Sequence, residues 1–405
     1  MKKNLTRNIL IAFILGILIG IFLNYLELYL PNIQKVFVNN FLSLGGEVFL
    51  KTLKMLVVPI VFCSLICGIC GLKDFSSLGR ISFKTITLYI TTTSIAISLA
   101  LFFAYLIQPG QNQETILISQ EINLRTAPNL SEVFLNIIPS NPFKALVEGN
   151  MLQVIFFSII LGSSISLIGK KGENIKNFFF SLNDIFLKGL ELIMVIAPLG
   201  IFCLISKTFA TQGLDIIFEL AKYFFTVVFV LFIHMFFMYG SMVKLICNIN
   251  PFNFFRKIKE AMFFAFSTSS SSATIPITLR NVEANLGVKK KIASFTVPLG
   301  STINMDGTAI MQGVATVFIA NIYGYELFFT DFITIIITAT LASIGTAGVP
   351  GVGLIMLGMV LSQIGLPLEG IAIVMGVDRF LDMLRTSTNV SGDAAISLII
   401  NKSEK

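Results

Sequence analysis

The feature that most constrains this chain is a series of long apolar stretches in its first part. They lie near residues 8–30, 44–72, 82–108, 146–169, 177–210 and 217–248. About 20 apolar residues cross the hydrocarbon core of a bilayer, so these stretches predict six membrane-spanning helices. Only 13% of the 405 residues are charged, too few to cover a soluble protein of this length. The chain is therefore predicted to be an all-α polytopic membrane protein, which excludes an ordinary soluble enzyme.

The basic residues predict which helix ends face the cytoplasm. The net charge is +7, but the 29 basic side chains are spread between the apolar stretches and do not form a stripe that would indicate nucleic acid binding. They lie before the first stretch and after the second, fourth and sixth: Lys2, Lys3, Arg7, Lys73, Arg80, Lys84, Lys170, Lys171, Lys176, Lys244, Arg256, Lys257 and Lys259. By the positive-inside rule, these residues and both termini are predicted to be cytoplasmic.

Two apolar stretches of the second half are interrupted by small polar residues. They are AFSTSSSSATIPIT at 265–278 and LASIGTAGVPGVGLIML at 341–357, and each precedes a long helix-like segment. The second half therefore resembles two copies of one unit, a broken hairpin followed by a helix, which enter the membrane from opposite faces. Paired interrupted segments of this kind indicate a transporter binding site near the bilayer midplane.

A polar stripe runs along the last predicted helix. Its members are Asp378, Asp382, Arg385, Thr386, Asn389 and Asp393. Spacings of four, seven and eleven residues from Asp382 place Thr386, Asn389 and Asp393 on one helix face. Lipid cannot hydrogen-bond these groups, so the stripe must face protein or a water-filled cavity. One arginine cannot neutralise these aspartates, whereas bound cations could; a purely structural salt-bridge network is the alternative.

A second polar motif, PLGSTINMDGTAIMQG at 298–313, offers oxygen ligands. Gly307 beside Asp306 predicts a loosened helix whose backbone carbonyls could bind a hard cation together with carboxylate and amide oxygens. The hairpin tips SSSSAT and SIGTAG end short helices whose N–H groups could bind a carboxylate, and a flexible loop is the alternative for each tip.

Other polar residues in apolar stretches favour packing roles. Cys63, Cys67 and Cys70 have helical spacing, but a metal usually needs four ligands, so buried packing positions are predicted. The lone His234 is likewise predicted to be a packed helix residue.

Two other functional classes are alternatives to a transporter. An intramembrane aspartyl protease would use a step such as Gly392-Asp393 but needs a Tyr-Asp motif that this sequence lacks. A channel is disfavoured by the two opposed hairpins.

These motifs together resemble the dicarboxylate/amino acid:cation symporter family of glutamate and aspartate transporters. The resemblance is carried by LKMLVVPIVFCSLICGI (53–69), SSSSAT, NMDGT, SIGTAGVPG and DRFLDMLRTSTNVSGD and covers nearly the whole chain. It implies eight transmembrane helices plus two re-entrant helical hairpins in inverted repeats. It also implies a homotrimer in which each transport domain slides, like an elevator, past a scaffold in the inner membrane.

The resemblance divides the chain into functional parts. It implies scaffold helices at 1–75, a transport-domain helix at 76–110, an external loop at 111–145, scaffold and trimerisation helices at 146–248 and a core transport domain at 249–400. Within the last part it implies a hairpin at 251–284, a helix at 290–323, a hairpin at 330–365 and a helix at 366–400.

The resemblance also implies roles for single residues. The implied substrate contacts are Ser270, Ser271, Thr308, Gly348, Asp382, Arg385, Thr386 and Asn389. Arg385 resembles the residue that pairs with a substrate side-chain carboxylate, and Asp382 the residue that holds the substrate ammonium. Having both residues implies that the substrate is an acidic amino acid, L-glutamate or L-aspartate.

Three cation sites are implied. The first uses Asp393, Asn389 and carbonyls near Gly300 and Asn304; the second uses Thr302, Met305, Ser343, Ile344 and Thr346; the third uses Tyr89, Thr92, Thr93, Asn304 and Asp306. Sodium is the expected coupling ion, with no other cofactor, and a proton-coupled symporter is the alternative. Gln312 stands where eukaryotic members have a glutamate linked to proton movement, and neither Ser269 nor Met383 is the additional arginine that relatives often have.

Overall fold

The computed structural model describes residues 2–27, 29–30, 36–70, 79–111, 135, 138–212, 215–343 and 351–404. These residues form helices joined by short connections, and no strand occurs among them. The predicted all-α class is therefore confirmed for the described part. Most of the predicted external loop, and the hairpin tip at 344–350 with the site residues Ile344, Thr346 and Gly348, lie outside the described residues.

The first half consists of helices that follow the apolar stretches. They are α1 (Lys2–Glu27), α2 (Ser43–Cys70, after a π-helical turn at Phe37–Leu42), α3 (Gly79–Ile107), α4 (Pro142–Glu148), α5 (Met151–Ile168) and α6 (Glu173–Gln212). A long helix follows as α7 (Asp215–Phe232), a π-helical segment (Ile233–Tyr239) and α8 (Gly240–Cys247). Three stretches of the described chain are long and apolar enough to cross a membrane: Phe83–Ile107, Gln153–Gly189 and Phe218–Cys247.

The second half contains shorter helices and one long one. They are α9 (Pro251–Thr268), α10 (Ser271–Arg280), α11 (Lys290–Ile303), α12 (Asp306–Ile322), α13 (Phe329–Ser343), α14 (Val352–Ile364) and α15 (Gly370–Ser403). The predicted interruption of the apolar stretch at 265–278 is observed, because α9 ends at Thr268 and the next residue, Ser269, has a left-handed φ of 50°. The next helix begins at once, since the Ser270 hydroxyl accepts a hydrogen bond from the Ala273 N–H.

The break in the NMDGT motif lies earlier than the sequence predicted. Asn304 and Met305 leave the helical conformation, with ψ angles of 84° and 43°, whereas Gly307 lies inside α12. Gly307 has a different role: a Cβ there would lie 2.6 Å from the carbonyl oxygen of Arg385. The glycine therefore allows α12 to approach the backbone of α15 closely, and the two residues before Asp306 open the helix.

The helices form two packed groups. Helix α1 packs along α6, and α2 packs along both α5 and α6. In the other group, α3 and α7 pack against α12, while α9, α11 and α12 surround α15. Nearly every residue of α15 from Gly370 to Asn401 is buried, so its polar stripe faces protein, as predicted.

A charged contact joins the ends of α3 and α15. Arg80 Nη2 lies 2.6 Å and Lys84 Nζ 2.7 Å from the carboxylate oxygens of Glu404. Hydrogen bonds from these two side chains lower the pKa of Glu404 to about 2. The basic residues that predict a cytoplasmic side thus lie beside the last residues of α15.

Candidate substrate and cation site

The charged end of the α15 stripe is a balanced cluster of two arginines and two aspartates. Arg385 Nη1 lies 3.0 Å from Asp378 Oδ1, and Arg385 Nη2 donates to Asp382 Oδ1 at 2.8 Å. Arg379 Nη1 lies 3.5 Å from Asp382 Oδ2. Sequence reasoning counted only Arg385 here and missed Arg379, although its i,i+3 spacing to Asp382 was a usable signal.

Two glycines make room for the Arg385 side chain and backbone. A Cβ at Gly353 of α14 would lie 3.2 Å from Arg385 Nη1, and Gly307 of α12 lies against the Arg385 backbone. The Arg385 side chain is only 1% exposed, and its Nε has no hydrogen-bond partner among the described residues. A buried donor of this kind is costly unless it is paired, so it favours an anionic ligand.

The other predicted substrate residues lie on elements that pack around this cluster. Thr386 donates to the Asp382 carbonyl at 2.7 Å, and Asn389 Oδ1 accepts from the Gly307 N–H at 2.7 Å. Thr308 is buried in the first turns of α12. Ser270 and Ser271 begin α10, which packs against α15. The described members of the predicted set therefore lie on α15 or on helices that pack against it.

The residues of the first predicted cation site lie together. Asn304 Nδ2 donates to Asp393 Oδ1 at 2.9 Å and to the Asn389 carbonyl at 3.0 Å. A Cβ at Gly300 would collide with the Asp393 carboxylate and lie 2.5 Å from the Tyr89 hydroxyl oxygen. A side chain at position 300 is therefore excluded by the carboxylate and the phenol that converge there.

The second predicted cation site is only partly described. Thr302 donates to the Leu299 carbonyl and Ser343 to the Thr340 carbonyl, each within its own helix. The Met305 sulfur accepts a hydrogen bond from Asn389 Nδ2 at 3.3 Å. Met305 is thus joined to the substrate-side residues, whereas Ile344 and Thr346 lie outside the described residues.

The third predicted cation site centres on the fully buried Asp306. Thr93 donates to Asp306 Oδ1 at 2.5 Å, and Tyr239 donates to Oδ2 at 2.5 Å. His234 Nε2 lies 2.9 Å from the same Oδ2. Close by, the Tyr89 hydroxyl donates to the Thr296 carbonyl, and Thr92 donates to the Tyr89 carbonyl.

His234 is a buried helix residue, as predicted, but its side chain also makes a polar contact that the prediction did not include. Its ring contacts a carboxylate and lies edge-on to Tyr239, with ring centroids 4.8 Å apart. Tyr239 was also missed. A single histidine in an apolar stretch carries no sequence signal for a partner 72 positions away. Cys63, Cys67 and Cys70 are buried, as predicted.

The described residues lack one kind of metal site, a cluster of His, Cys, Asp and Glu side chains. No group of three or more His, Cys, Asp and Glu side chains that could hold a metal ion occurs in the described ranges. The converging groups are carboxylate, amide, hydroxyl and carbonyl oxygens, which suit a hard cation. A helical membrane protein with these oxygens beside a buried arginine–aspartate cluster belongs to the class of ion-coupled transporters.

Comparison with known proteins defines the family. Residues 5–403 match the sodium:dicarboxylate symporter family. The chain is 34% identical over its full length to the proton/sodium-glutamate symport protein of Geobacillus stearothermophilus, covering 95% of that relative. It is 36% identical to the proton/glutamate-aspartate symporter of Escherichia coli (strain K12), covering 93% of it. Over 97% of its length it is 32% identical to excitatory amino acid transporter 3 of Mus musculus, covering 84% of it.

The chain belongs to the sodium:dicarboxylate symporter family. This confirms the resemblance found from its motifs. The family is one of membrane transporters and not of enzymes, so the protease alternative is excluded.

Proposed function

We propose that this chain is a secondary active symporter that takes up L-glutamate or L-aspartate together with cations. The observation that carries the proposal is Arg385, a buried guanidinium between Asp378 and Asp382 on the same helix as Asp393. Relatives named as glutamate and glutamate-aspartate symporters support the substrate class. Sodium is the first candidate for the coupling ion, and the proton is the alternative.

In this proposal the charged groups of the substrate form ion pairs with residues of the charged cluster on α15. Its side-chain carboxylate pairs with Arg385, whose planar guanidinium suits two parallel hydrogen bonds. Its ammonium pairs with Asp382, while Asp378 continues to balance Arg385. The α-carboxylate is left to the hydroxyl, amide and backbone groups of Ser270, Ser271, Thr308, Gly348, Thr386 and Asn389.

Cations are needed because the remaining carboxylates lack permanent counter-charges. Among the described residues, neither Asp306 nor Asp393 forms an ion pair with lysine or arginine, yet both are at most 2% exposed. An unpaired charge buried in a membrane protein costs several kcal/mol, about 3 on insertion scales, and a bound sodium ion or a proton would offset that cost. The predicted oxygen ligands at the three sites can supply the coordination.

Asn389 gives a physical route for coupling substrate to cation. Its side chain contacts the Gly307 N–H and the Met305 sulfur, and its carbonyl accepts from Asn304. These contacts support a position of Asn389 between the proposed substrate and cation sites. Binding at one site that orders Asn389 favours binding at the other, and this coupling is reciprocal.

We also propose the family architecture for this chain. It comprises eight transmembrane helices, two re-entrant hairpins in inverted repeats, cytoplasmic termini and a homotrimer in the inner membrane. The pair α9 and α10 and the pair α13 and α14 supply the hairpins. Helices α1, α2, α5 and α6 pack with one another and suit the scaffold. Unlike the sequence-based division, this proposal assigns residues 215–247 to the moving part, because His234 and Tyr239 contact Asp306.

Uptake into proteoliposomes tests the function. Labelled L-aspartate and L-glutamate are supplied under either an inward sodium gradient or an inward proton gradient. We expect accumulation of acidic amino acids above equilibrium under the sodium gradient. Accumulation under the proton gradient alone would move the coupling to the alternative ion. Absence of accumulation under both gradients, with protein shown to be folded and inserted, would contradict the proposal.

Replacing Gly300 by alanine is a local test of the cation sites. The new methyl group would displace the Asp393 carboxylate and the Tyr89 hydroxyl. We expect the sodium concentration for half-maximal substrate binding to rise at least about tenfold, the effect of disturbing ligand geometry. The matched control is Gly189→Ala, where the new Cβ makes an ordinary 3.8 Å contact with Leu56. Equal sodium dependence in the two variants would contradict the assignment.

A further inference from the structure

A π-helical segment places two side chains on one oxygen atom. His234 and Tyr239 are five residues apart within Ile233–Tyr239. In an α-helix of 3.6 residues per turn, residues five apart point about 140° away from each other. In a π-helical segment, where hydrogen bonds join residues i and i+5, they point to nearly the same side. The wide turn is therefore what allows both residues to reach Asp306 Oδ2.

The contacts at Asp306 divide unequally between its two oxygens. Oδ2 is held at 2.9 Å by His234 and at 2.5 Å by Tyr239, while among the described residues Oδ1 accepts a hydrogen bond from Thr93 only. All four side chains are fully buried. Two contacts on Oδ2 fix the rotation of the carboxylate group, and this leaves Oδ1 as the oxygen with a free lone pair beside the hydrogen bond from Thr93.

Space for this arrangement is provided by α15. A Cβ at Gly392 would collide with the Tyr239 hydroxyl and lie 2.6 Å from Asn304 Nδ2. The next residue, Asp393, accepts a hydrogen bond from that same Asn304. The Tyr239 hydroxyl can therefore lie close to Asn304, Asp306 and Asp393 only because residue 392 has no side chain.

We propose that His234 and Tyr239 are positioning residues for cation binding at Asp306. They hold Oδ2, so that Oδ1 points toward Thr93 and the oxygen atoms proposed as cation ligands. Residues that hydrogen-bond to a metal-binding carboxylate, and so orient it, affect metal affinity without contacting the metal. The inference rests on the proposed function, which places a cation at Asp306, and adds to it the two residues that set the geometry of that site.

Cation-dependent thermal stability tests the inference without any substrate. A cation that binds the folded protein raises its melting temperature by mass action. The full-length protein in detergent is heated in sodium chloride or in choline chloride at constant ionic strength. The variants are His234→Leu, His234→Gln and Tyr239→Phe. The matched control is Phe237→Leu, in the same π-helical segment but with its side chain 74% exposed.

We expect the half-saturating sodium concentration to rise about tenfold or more in His234→Leu and in Tyr239→Phe, as for lost outer ligand partners. His234→Gln retains an N–H donor and should change it by less than about threefold. Phe237→Leu should match the wild type. At saturating sodium, the affinity for L-aspartate should stay within about twofold of the wild type in every variant, because the substrate-side residues are untouched.

Three results would overturn the inference. One is a sodium dependence equal to that of the wild type in Tyr239→Phe, a variant that keeps the test valid if His234→Leu does not fold. Another is a loss of melting temperature in choline chloride with unchanged half-saturating sodium, which would assign both residues a merely structural role. The third is the absence of any sodium effect on the wild type. Normal sodium effects without uptake of acidic amino acids would instead contradict the proposed function and leave the positioning role supported.

Discussion

Replacing Arg385 by cysteine is expected to reduce the affinity for L-glutamate and L-aspartate at least about 100-fold, while neutral amino acids retain or gain binding. Removing one member of a buried, hydrogen-bonded charge pair costs about 2–5 kcal/mol, and 2.8 kcal/mol corresponds to about 100-fold. The substrate carboxylate would lose its guanidinium partner. It would also face Asp378 and Asp382, whose contacts with Arg385 at 3.0 and 2.8 Å would be lost.

Competition for uptake of a labelled amino acid measures this change. Unlabelled glutamate, aspartate, alanine and serine are compared as competitors for the wild type and the variant. Arg280→Cys is the matched control, because the Arg280 side chain is 60% exposed and pairs with Glu260 at the surface. Glutamate competition that is equally strong in Arg385→Cys and the wild type would remove the basis for assigning this arginine to the substrate.

Replacing Asp393 by asparagine is expected to weaken substrate binding through weaker cation binding. The amide keeps the shape of the carboxylate and can still accept from Asn304, but it removes a buried negative charge from the proposed first cation site. We expect the half-saturating sodium concentration to rise at least about tenfold, the change seen when even outer ligand partners are lost. High sodium should then restore most of the substrate affinity, because the charged cluster around Arg385 is unchanged.

Substrate binding measured over a sodium titration separates the two effects. Asp184→Asn, on the exposed face of α6, is the matched control for loss of one acidic charge. The coupling role of Asp393 is wrong if sodium dependence in Asp393→Asn equals that of the control. It is equally wrong if binding stays absent at the highest sodium concentration while the protein remains folded.

Much of the helical architecture could be predicted because it depends on local properties of the chain. Apolar stretches of bilayer length become helices since only hydrogen-bonded helices satisfy the backbone in lipid. The interruption at Ser269 followed from the run of small polar residues, and it is observed. The break near Asp306 was predicted at Gly307 but occurs at Asn304 and Met305, because the glycine is used for close packing against Arg385.

In the candidate site, too, contacts within one helix could be predicted, whereas contacts between distant parts of the chain could not. Helical periodicity alone placed Asp382, Thr386, Asn389 and Asp393 on one face of α15, and the structure buries that face. Arg379 also lay within reach of local reasoning, through its spacing to Asp382. Contacts among residues on one helix follow from 3.6 residues per turn, so the sequence contains them without knowledge of the fold.

By itself, the sequence of this protein determined the helical class, the positions of most helices, the helix break at Ser269 and the polar face of α15. Only the tertiary structure decided which groups meet that face. Asp306 contacts Thr93, 213 positions earlier, and both His234 and Tyr239 across a π-helical segment. Such contacts depend on how separate helices pack and on one π-helical turn. That turn points a side chain in a direction different from the one expected in an α-helix. Hydropathy and periodicity report neither of these, because they are properties of single helices.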